Sequence, residues 1–197
     1  MSNLPQDIPS NYAFRSLTSL NLSHNLLVNP FHYLHHIPSL ENLDVSFNKI
    51  KSFPRPSIMS SFQKLHSLDL SSNCLQNDGQ VFFALSHCPV LTDLIAMDNL
   101  LNSIPREHVE KFGFPRLQTI NLTHNKIKEE TNLVSAICKM RCLTKVILID
   151  NPITETRKIK CINEMVNDTR KKVRFSPLRI IASYDDKIYD CNSSFIR

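Results

Sequence analysis

The chain has 197 residues, of which 42% are hydrophobic and 21% are charged, and its formal net charge is +5. This balance is typical of an ordinary soluble protein, and the length suffices for one domain with a continuous core. The sequence holds no run of 18 apolar residues, and it does not begin with a basic segment followed by an apolar stretch. It therefore predicts neither a membrane span nor a secretory signal peptide.

An eleven-residue pattern, L-x-x-L-x-L-x-x-N-x-L, occurs six times along the chain. The copies begin at Leu17, Leu40, Leu65, Leu91, Leu117 and Leu143. Successive copies are separated by 23, 25, 26, 26 and 26 residues. A period of this length is typical of a solenoid in which each repeat forms one supersecondary unit.

The L-x-L alternation inside each copy predicts a short strand with two apolar side chains on one side. One repeat cannot bury that side alone, so neighbouring repeats are expected to stack into a parallel sheet over a common core. We therefore predict an α/β solenoid with a curved parallel sheet on its concave face. Short helices and extended segments are expected on the convex face.

An asparagine occupies the same position of every copy, where the chain turns off the strand. Its amide both donates and accepts hydrogen bonds, so it can satisfy backbone groups of its own turn and of a neighbouring one. We interpret these residues as a structural ladder without a catalytic role. They are Asn25, Asn48, Asn73, Asn99, Asn125 and Asn151.

The segments that follow the strands carry helical patterns. Helices are predicted around 31–37, 81–85 and 133–140, and a fourth is predicted around 109–112 with Gly113 at its end. The proline-containing segment 52–56 is expected to be extended instead.

The array of six repeats, with a partial repeat before it, spans residues 1–153. Residues 154–183 are predicted to form a C-terminal cap, with an amphipathic helix over 157–166 and then an extended segment. Residues 184–197 are expected to be a polar tail. Because the array opens in the second half of a repeat, we expect either upstream repeats or a partner to cover its first strand.

These motifs resemble the leucine-rich repeat superfamily, and the cap resembles that of its intracellular members. The stretches LENLDVSFNKI, LHSLDLSSNCLQNDGQVFFALSHCPVL and NPITETRK resemble the repeat region of the X-ray radiation resistance-associated family. The resemblance implies a non-catalytic, intracellular binding scaffold of the cytoplasm or the nucleus. Cysteines do not cluster at the ends of the array, which also favours a reducing compartment. A regulatory subunit of a phosphatase or of a ciliary motor complex is an alternative.

Strand residues that alternate with the buried leucines are expected to form the concave face. Isoleucine and methionine among them would normally be buried, so either a protein partner or a terminal segment of this chain should cover them. We predict that a partner's helix or loop binds there, with the aspartates engaging basic groups. The candidate residues are Asp44, Phe47, Asp69, Ile95, Met97, Asp98, Asn121, Ile147 and Ile149.

A basic run near the cap offers a second candidate site, formed by Arg170, Lys171, Lys172 and Arg174. It belongs to a basic C-terminal part, since residues 154–197 hold ten lysines and arginines against six aspartates and glutamates. Such a run could contact phosphates or act as a nuclear-import signal, which would make the protein a nucleic-acid-associated subunit. A solvated helix end explains it more simply.

Catalytic and cofactor motifs are missing from the sequence. His24 and His124 occupy equivalent positions of strands four apart, roughly 19 Å from each other. Cys138 and Cys142 lack a second ligand pair at metal spacing. The sequence contains neither a glycine-rich phosphate loop nor an H-E-x-x-H motif. We therefore predict no enzyme activity, cofactor, metal site, small-molecule substrate or membrane association.

Overall fold

A computed structural model describes residues 14–76, 78–106, 109, 113–154, 162, 164, 166, 168–171, 178–182 and 189–190 of the chain.

The strands of the protein form one sheet in strict chain order, so each new repeat adds a strand at the same edge. Strands β1 to β7 are parallel, and β8 pairs antiparallel to β7. The predicted α/β solenoid with a parallel sheet is confirmed. The strands are β1 (Ser19–Asn21), β2 (Asn42–Asp44), β3 (Ser67–Asp69), β4 (Asp93–Ile95), β5 (Thr119–Asn121), β6 (Lys145–Ile147), β7 (Arg179–Ile181) and β8 (Tyr189–Asp190).

The last two strands lie beyond the six repeats of the sequence pattern. β7 falls within the extended segment that was expected after the cap helix, and it pairs in parallel with β6. β8 falls within the segment expected to be a polar tail, where no alternating pattern announced a strand. Its residues pair with β7 residues nine and eleven positions earlier, and the sequence analysis did not predict this pairing.

Four helices on the convex side are described over their whole length, and three of them follow the predicted patterns. They are α1 (Phe31–Leu34), α2 (Pro56–Met59), α3 (Asp78–Leu85) and α4 (Glu130–Lys139). Sequence analysis missed α2, which begins at Pro56 directly after the extended residue Arg55. A proline is well tolerated at the first helical position because its missing N–H would have no intrahelical partner there.

The end of the predicted fourth helix is also visible. Arg106 and Val109 are helical, and Gly113 has a φ of +65° while its N–H donates to the Val109 carbonyl at 2.9 Å. Glycine adopts this left-handed conformation without steric cost, which explains the helix stop.

An amphipathic helix is predicted over 157–166, with Ile159, Ile162, Met165 and Val166 on its apolar side. Ile162 and Val166 are helical and buried, and Ile159 and Met165 lie outside the described residues. None of the helices among the described residues is both long enough and apolar enough to cross a lipid bilayer.

The core fills the space between the sheet and the convex segments. One column of it is formed by the residue three positions before the first leucine of the second to sixth repeats, and its members are fully or almost fully buried. Each of them also accepts a backbone hydrogen bond from that leucine, at 3.1 to 3.5 Å. The column consists of Ile37, Phe62, Cys88, Phe114 and Met140.

The ladder asparagines connect consecutive repeats through buried hydrogen bonds. The Asn99 side-chain oxygen accepts from the Leu75 N–H at 3.0 Å, within the preceding repeat. Its amide group donates to the carbonyls of Leu70 and Met97 at 3.0 and 2.9 Å. Asn48, Asn73, Asn125 and Asn151 repeat this arrangement. Asn25 donates only to carbonyls of its own turn, since no repeat precedes it among the described residues.

The residue before each ladder asparagine has a left-handed backbone, although none is a glycine. Their φ values lie between 48° and 56°. Such a conformation costs a non-glycine residue about 1–2 kcal/mol. The adjacent asparagine offsets this cost because it binds the carbonyls that the turn exposes. The six residues are His24, Phe47, Ser72, Asp98, His124 and Asp150, and we call them the rim.

We predict that Asn99→Ala lowers the free energy of unfolding by about 2–3 kcal/mol, because it leaves the buried Leu75 N–H without a partner and removes the bonds from Asn99 to carbonyls of two repeats. Asn25→Ala is the matched control, since Asn25 is exposed and bonds within one turn. It should cost less than about 1 kcal/mol. Urea unfolding measures both, and equal losses would contradict the inter-repeat role.

Candidate partner-binding face

The first and third residues of each three-residue strand point away from the core and form the concave face. The middle residue points inward, as the burial pattern of each of β2 to β7 shows. Because the strands are paired in register, the outward residues align in two rows. The first row is Ser19, Asn42, Ser67, Asp93, Thr119, Lys145 and Arg179. The second row is Asn21, Asp44, Asp69, Ile95, Asn121, Ile147 and Ile181.

Polar members of the second row also close the turn that follows their strand. The Asp44 carboxylate accepts from the Ser46 N–H at 2.9 Å and from its hydroxyl at 2.6 Å. Asn121 makes the same pair of bonds with Thr123, at 3.1 and 2.7 Å. This is the local side-chain-to-backbone turn that aspartate and asparagine favour. The predicted site residue Asn121 therefore has a structural role in its turn.

Repeats four and six depart from this turn at both of its positions. Where other repeats have Asn or Asp followed two residues later by Ser or Thr, these have Ile95 with Met97 and Ile147 with Ile149. All four side chains are half-buried. Isoleucine and methionine side chains cannot form the turn hydrogen bond. These two repeats therefore lack a local stabilising interaction and present apolar surface in its place.

A fifth apolar residue, Ile181 on β7, lies beside Ile147 in register and is also half-buried. Sequence analysis missed it because β7 carries no copy of the repeat pattern. The sequence analysis left open that a terminal segment of this chain covers the apolar residues, and the position of β7 tests this for one such segment. β7 lies next to β6 within the sheet, so it widens the apolar surface and does not shield it. We call Ile95, Met97, Ile147, Ile149 and Ile181 the apolar patch.

The polar half of the face contains a shallow groove of about 230 Å³ across β1 to β4. Asp44 and Asp69 border it from adjacent strands, together with Asn21 and Asn42, and Ile95 closes its far end. The groove therefore meets the apolar patch at Ile95.

The rim residues interact in pairs across neighbouring strands. His24 stacks on Phe47 with ring centroids 4.2 Å apart, and Phe47 remains 49% exposed. The Ser72 hydroxyl donates to Asp98 at 3.4 Å. The two predicted site residues of the rim, Phe47 and Asp98, thus stand at one edge of the face.

The other rim pair is His124 and Asp150, with 3.2 Å between the His124 Nε2 and the Asp150 Oδ2. His24 and His124 therefore engage different neighbours in different repeats. The structure does not bring them together as a catalytic pair.

Comparison with known proteins agrees with this architecture. A family profile described as "Leucine Rich repeat" matches residues 63–84. An internalin from Listeria monocytogenes str. 4b F2365 aligns with 73% of this chain and 38% of its own, at 19% identity and a TM-score of 0.54. A leucine-rich repeat protein of Leptospira interrogans aligns with 77% of this chain and 42% of its own, at 19% identity and a TM-score of 0.58.

The APL1 leucine-rich repeat domain aligns with 70% of this chain and 34% of its own, at 21% identity and a TM-score of 0.58. The protein folds as a leucine-rich repeat solenoid. At these identities the likeness concerns the fold alone, and the chain spans 34% to 42% of the length of the three structures.

The basic run of this leucine-rich repeat solenoid is not the continuous exposed patch that the sequence suggests. Arg170 is only 5% exposed. Its guanidinium donates to the carbonyls of Ile137 at 3.2 Å and Leu143 at 2.8 Å, beside the end of α4. The predicted phosphate contact is therefore wrong for Arg170, because its donors satisfy backbone carbonyls at a helix C-terminus. Lys171 is exposed, and Lys172 and Arg174 lie outside the described residues.

The described cysteines differ in environment. Cys88 is 1% exposed, and burial raises the pKa of its thiol to about 12. Burial also raises the pKa of Cys138, although a hydrogen bond to Thr169 and the charge of Arg170 oppose the shift. Cys142 is exposed. No group of three or more metal-ligating side chains occurs within the described ranges.

We predict that Arg170→Met lowers the free energy of unfolding by about 2 kcal/mol. The reason is that the carbonyls of Ile137, Met140 and Leu143 lose a charged donor. Lys171→Met is the matched control, since it removes the same charge from an exposed side chain one residue away. Thermal or urea unfolding of both variants checks this. Equal stability of the two variants would contradict the proposed packing.

We expect iodoacetamide at pH 8 to modify Cys142 well before Cys88 or Cys138. The thiolate is the reactive form, and a raised pKa leaves little of it at that pH. Peptide mass mapping over time measures the three rates. Modification at equal rates in the folded protein would contradict the burial of Cys88. As a control, the three cysteines should react at equal rates in about 8 M urea, which unfolds most small proteins.

Proposed function

We propose that the protein is a non-catalytic interaction module that binds a protein partner through its concave face. The observation that carries the proposal is the apolar patch, which lies on the outward side of β4, β6 and β7. Two of its pairs replace a hydrogen-bonded turn in a chain that keeps that turn in other repeats. Apolar side chains that are grouped on an outward face and remain partly accessible to solvent usually mark a contact site.

The fold also supports the proposal. A leucine-rich repeat solenoid is generally a protein-interaction scaffold, because its stacked repeats present an extended concave surface. Within the described ranges, His24 stacks on Phe47, His124 pairs with Asp150 and Cys88 is buried, and these contacts give no support to a pair of nucleophile and base.

The size of the face limits how the partner binds. Six gaps of about 4.8 Å between β1 and β7 give a width of roughly 29 Å, and strands of three residues are about 10 Å long. This is well below the roughly 800 Å² that each side of a standard interface buries. The partner must therefore also contact the rim. Among the six rim residues Phe47 is the apolar one, and its side chain is 49% exposed.

The proposal includes an intracellular location, in the cytoplasm or the nucleus. The four described cysteines are free thiols, as in a reducing compartment. The stretches at 40–50, 65–91 and 151–158 support a closer relation to the X-ray radiation resistance-associated family.

We predict that replacing four members of the apolar patch by serine abolishes partner capture from cell extract, because it removes the surface that binding would bury. The variant should still fold, because none of the four side chains belongs to the buried core. Quantitative mass spectrometry of the captured proteins, wild type against variant, measures the effect. The substitutions are Ile95→Ser, Met97→Ser, Ile147→Ser and Ile149→Ser.

The control variant carries Leu26→Ser, Val28→Ser and Leu100→Ser, which remove exposed apolar side chains outside the strands. It should capture the same partners as the wild type. Capture that survives the concave substitutions and fails in the control would refute the proposal. Binding to a generic oligonucleotide that weakens steeply with salt would favour the nucleic-acid alternative.

A further inference from the structure

The charges on the concave face are not evenly distributed. The ten outward residues of β1 to β5 include three aspartates and neither lysine nor arginine. Two of these aspartates, Asp44 and Asp69, border the groove, and the groove ends at Ile95 of the apolar patch. An occupant of the patch that extends toward β1 therefore meets an acidic surface.

Asp44 and Asp69 are direct register partners on adjacent parallel strands. Like charges at such positions destabilise a sheet, and both side chains are half-buried, where screening by water is weaker. The turn hydrogen bonds hold their carboxylates in place, and Asn21 further donates to Asp44 at 3.1 Å. The groove thus holds two fixed negative charges that a cation would stabilise.

The acceptors around the groove are also incompletely used. Among the described residues, the Asp69 carboxylate accepts one hydrogen bond, from the Ser71 N–H at 2.8 Å. A carboxylate has about four acceptor positions. A guanidinium presents five donors in a planar fork, and an ammonium presents three, so either could use the positions that remain.

We propose, building on the protein-binding function above, that the occupant is an extended cationic–apolar segment of the partner. An arginine or lysine side chain enters the groove between Asp44 and Asp69. Apolar side chains of the same segment then contact Ile95 and Ile147. The segment crosses the strands, with its cationic end toward β1 and its apolar end toward β7.

Strand spacing sets the separation of these groups. The midpoint between β2 and β3 lies about 7 Å from β4 and about 17 Å from β6, at 4.8 Å per gap. An extended chain advances about 3.3 Å per residue. The first apolar residue is therefore expected about two positions from the cation, and the second about five positions from it.

A selection from a random twelve-residue peptide library, with the full chain immobilised, tests the proposal. We expect the wild type to enrich peptides with arginine or lysine and apolar residues at those two spacings. The double variant Asp44→Asn with Asp69→Asn should lose the enrichment of cations and retain that of apolar residues. The best wild-type peptide should bind this variant about tenfold to a hundredfold more weakly.

The double variant should fold normally, because Asn21 and Asn121 occupy the same row and make the same turn bonds. A control with equal net charge carries Glu164→Gln and Asp168→Asn, two exposed residues of the cap. It should select the same peptides as the wild type. A charge reversal, Asp44→Lys with Asp69→Lys, should instead enrich aspartate and glutamate.

The outcomes separate this inference from the function on which it rests. Selected peptides that need the apolar patch but carry no enriched cation would overturn the inference and leave the protein-binding function standing. Peptides whose binding survives the four serine substitutions would contradict both. Cation enrichment that persists in the asparagine double variant would also overturn the inference, because the charge would then lie elsewhere.

Discussion

The hydrogen bonds of the buried ladder asparagines are the interaction on which the rest of the structure depends. Each interior asparagine joins its own turn to the preceding repeat, as Asn99 does with Leu70 and Leu75. It also stabilises the turn that contains a strained left-handed residue, although that residue is not glycine. Without the asparagine, the buried N–H of the preceding repeat would be unpaired, at a cost of about 1–3 kcal/mol that is comparable with the strain. All repeats are therefore held in one register, and rows of outward residues follow from it.

Because the register is fixed, an outward strand residue can stabilise its turn and also contact a partner, and the two roles need not require the same side chain. Asp44 and Asn121 satisfy the same turn, so the backbone does not distinguish an acidic residue from a neutral one. The charge of Asp44 is therefore not needed for the turn, and beside Asp69 it costs stability, so a role in recognition explains it better than a role in the fold. At Ile95 and Ile147 the chain goes further and omits the turn bond altogether.

The described residues beyond the six repeats pack against the solenoid by different means. Arg170 carries its charge into the core, where the carbonyls at the end of α4 and of the following turn satisfy its donors. β7 then continues the sheet beyond the last repeat and brings Ile181 beside Ile147. A strand that contains no copy of the repeat pattern thus enlarges the apolar patch.

The sequence by itself determined the solenoid, the first six strands, the ladder and the helices α1, α3 and α4, because leucine spacing and turn residues are local signals. It also placed Ile95 and Ile147 on the outward side, since alternation along a strand follows from backbone geometry. Only the tertiary structure decided that Arg170 is buried, that β7 and β8 extend the sheet, and that Ile181 joins the patch. The burial of Arg170 and the position of β7 depend on contacts with residues 27 to 34 positions earlier in the chain, and β8 in turn depends on β7. A basic run has the same sequence whether its side chains face water or backbone carbonyls.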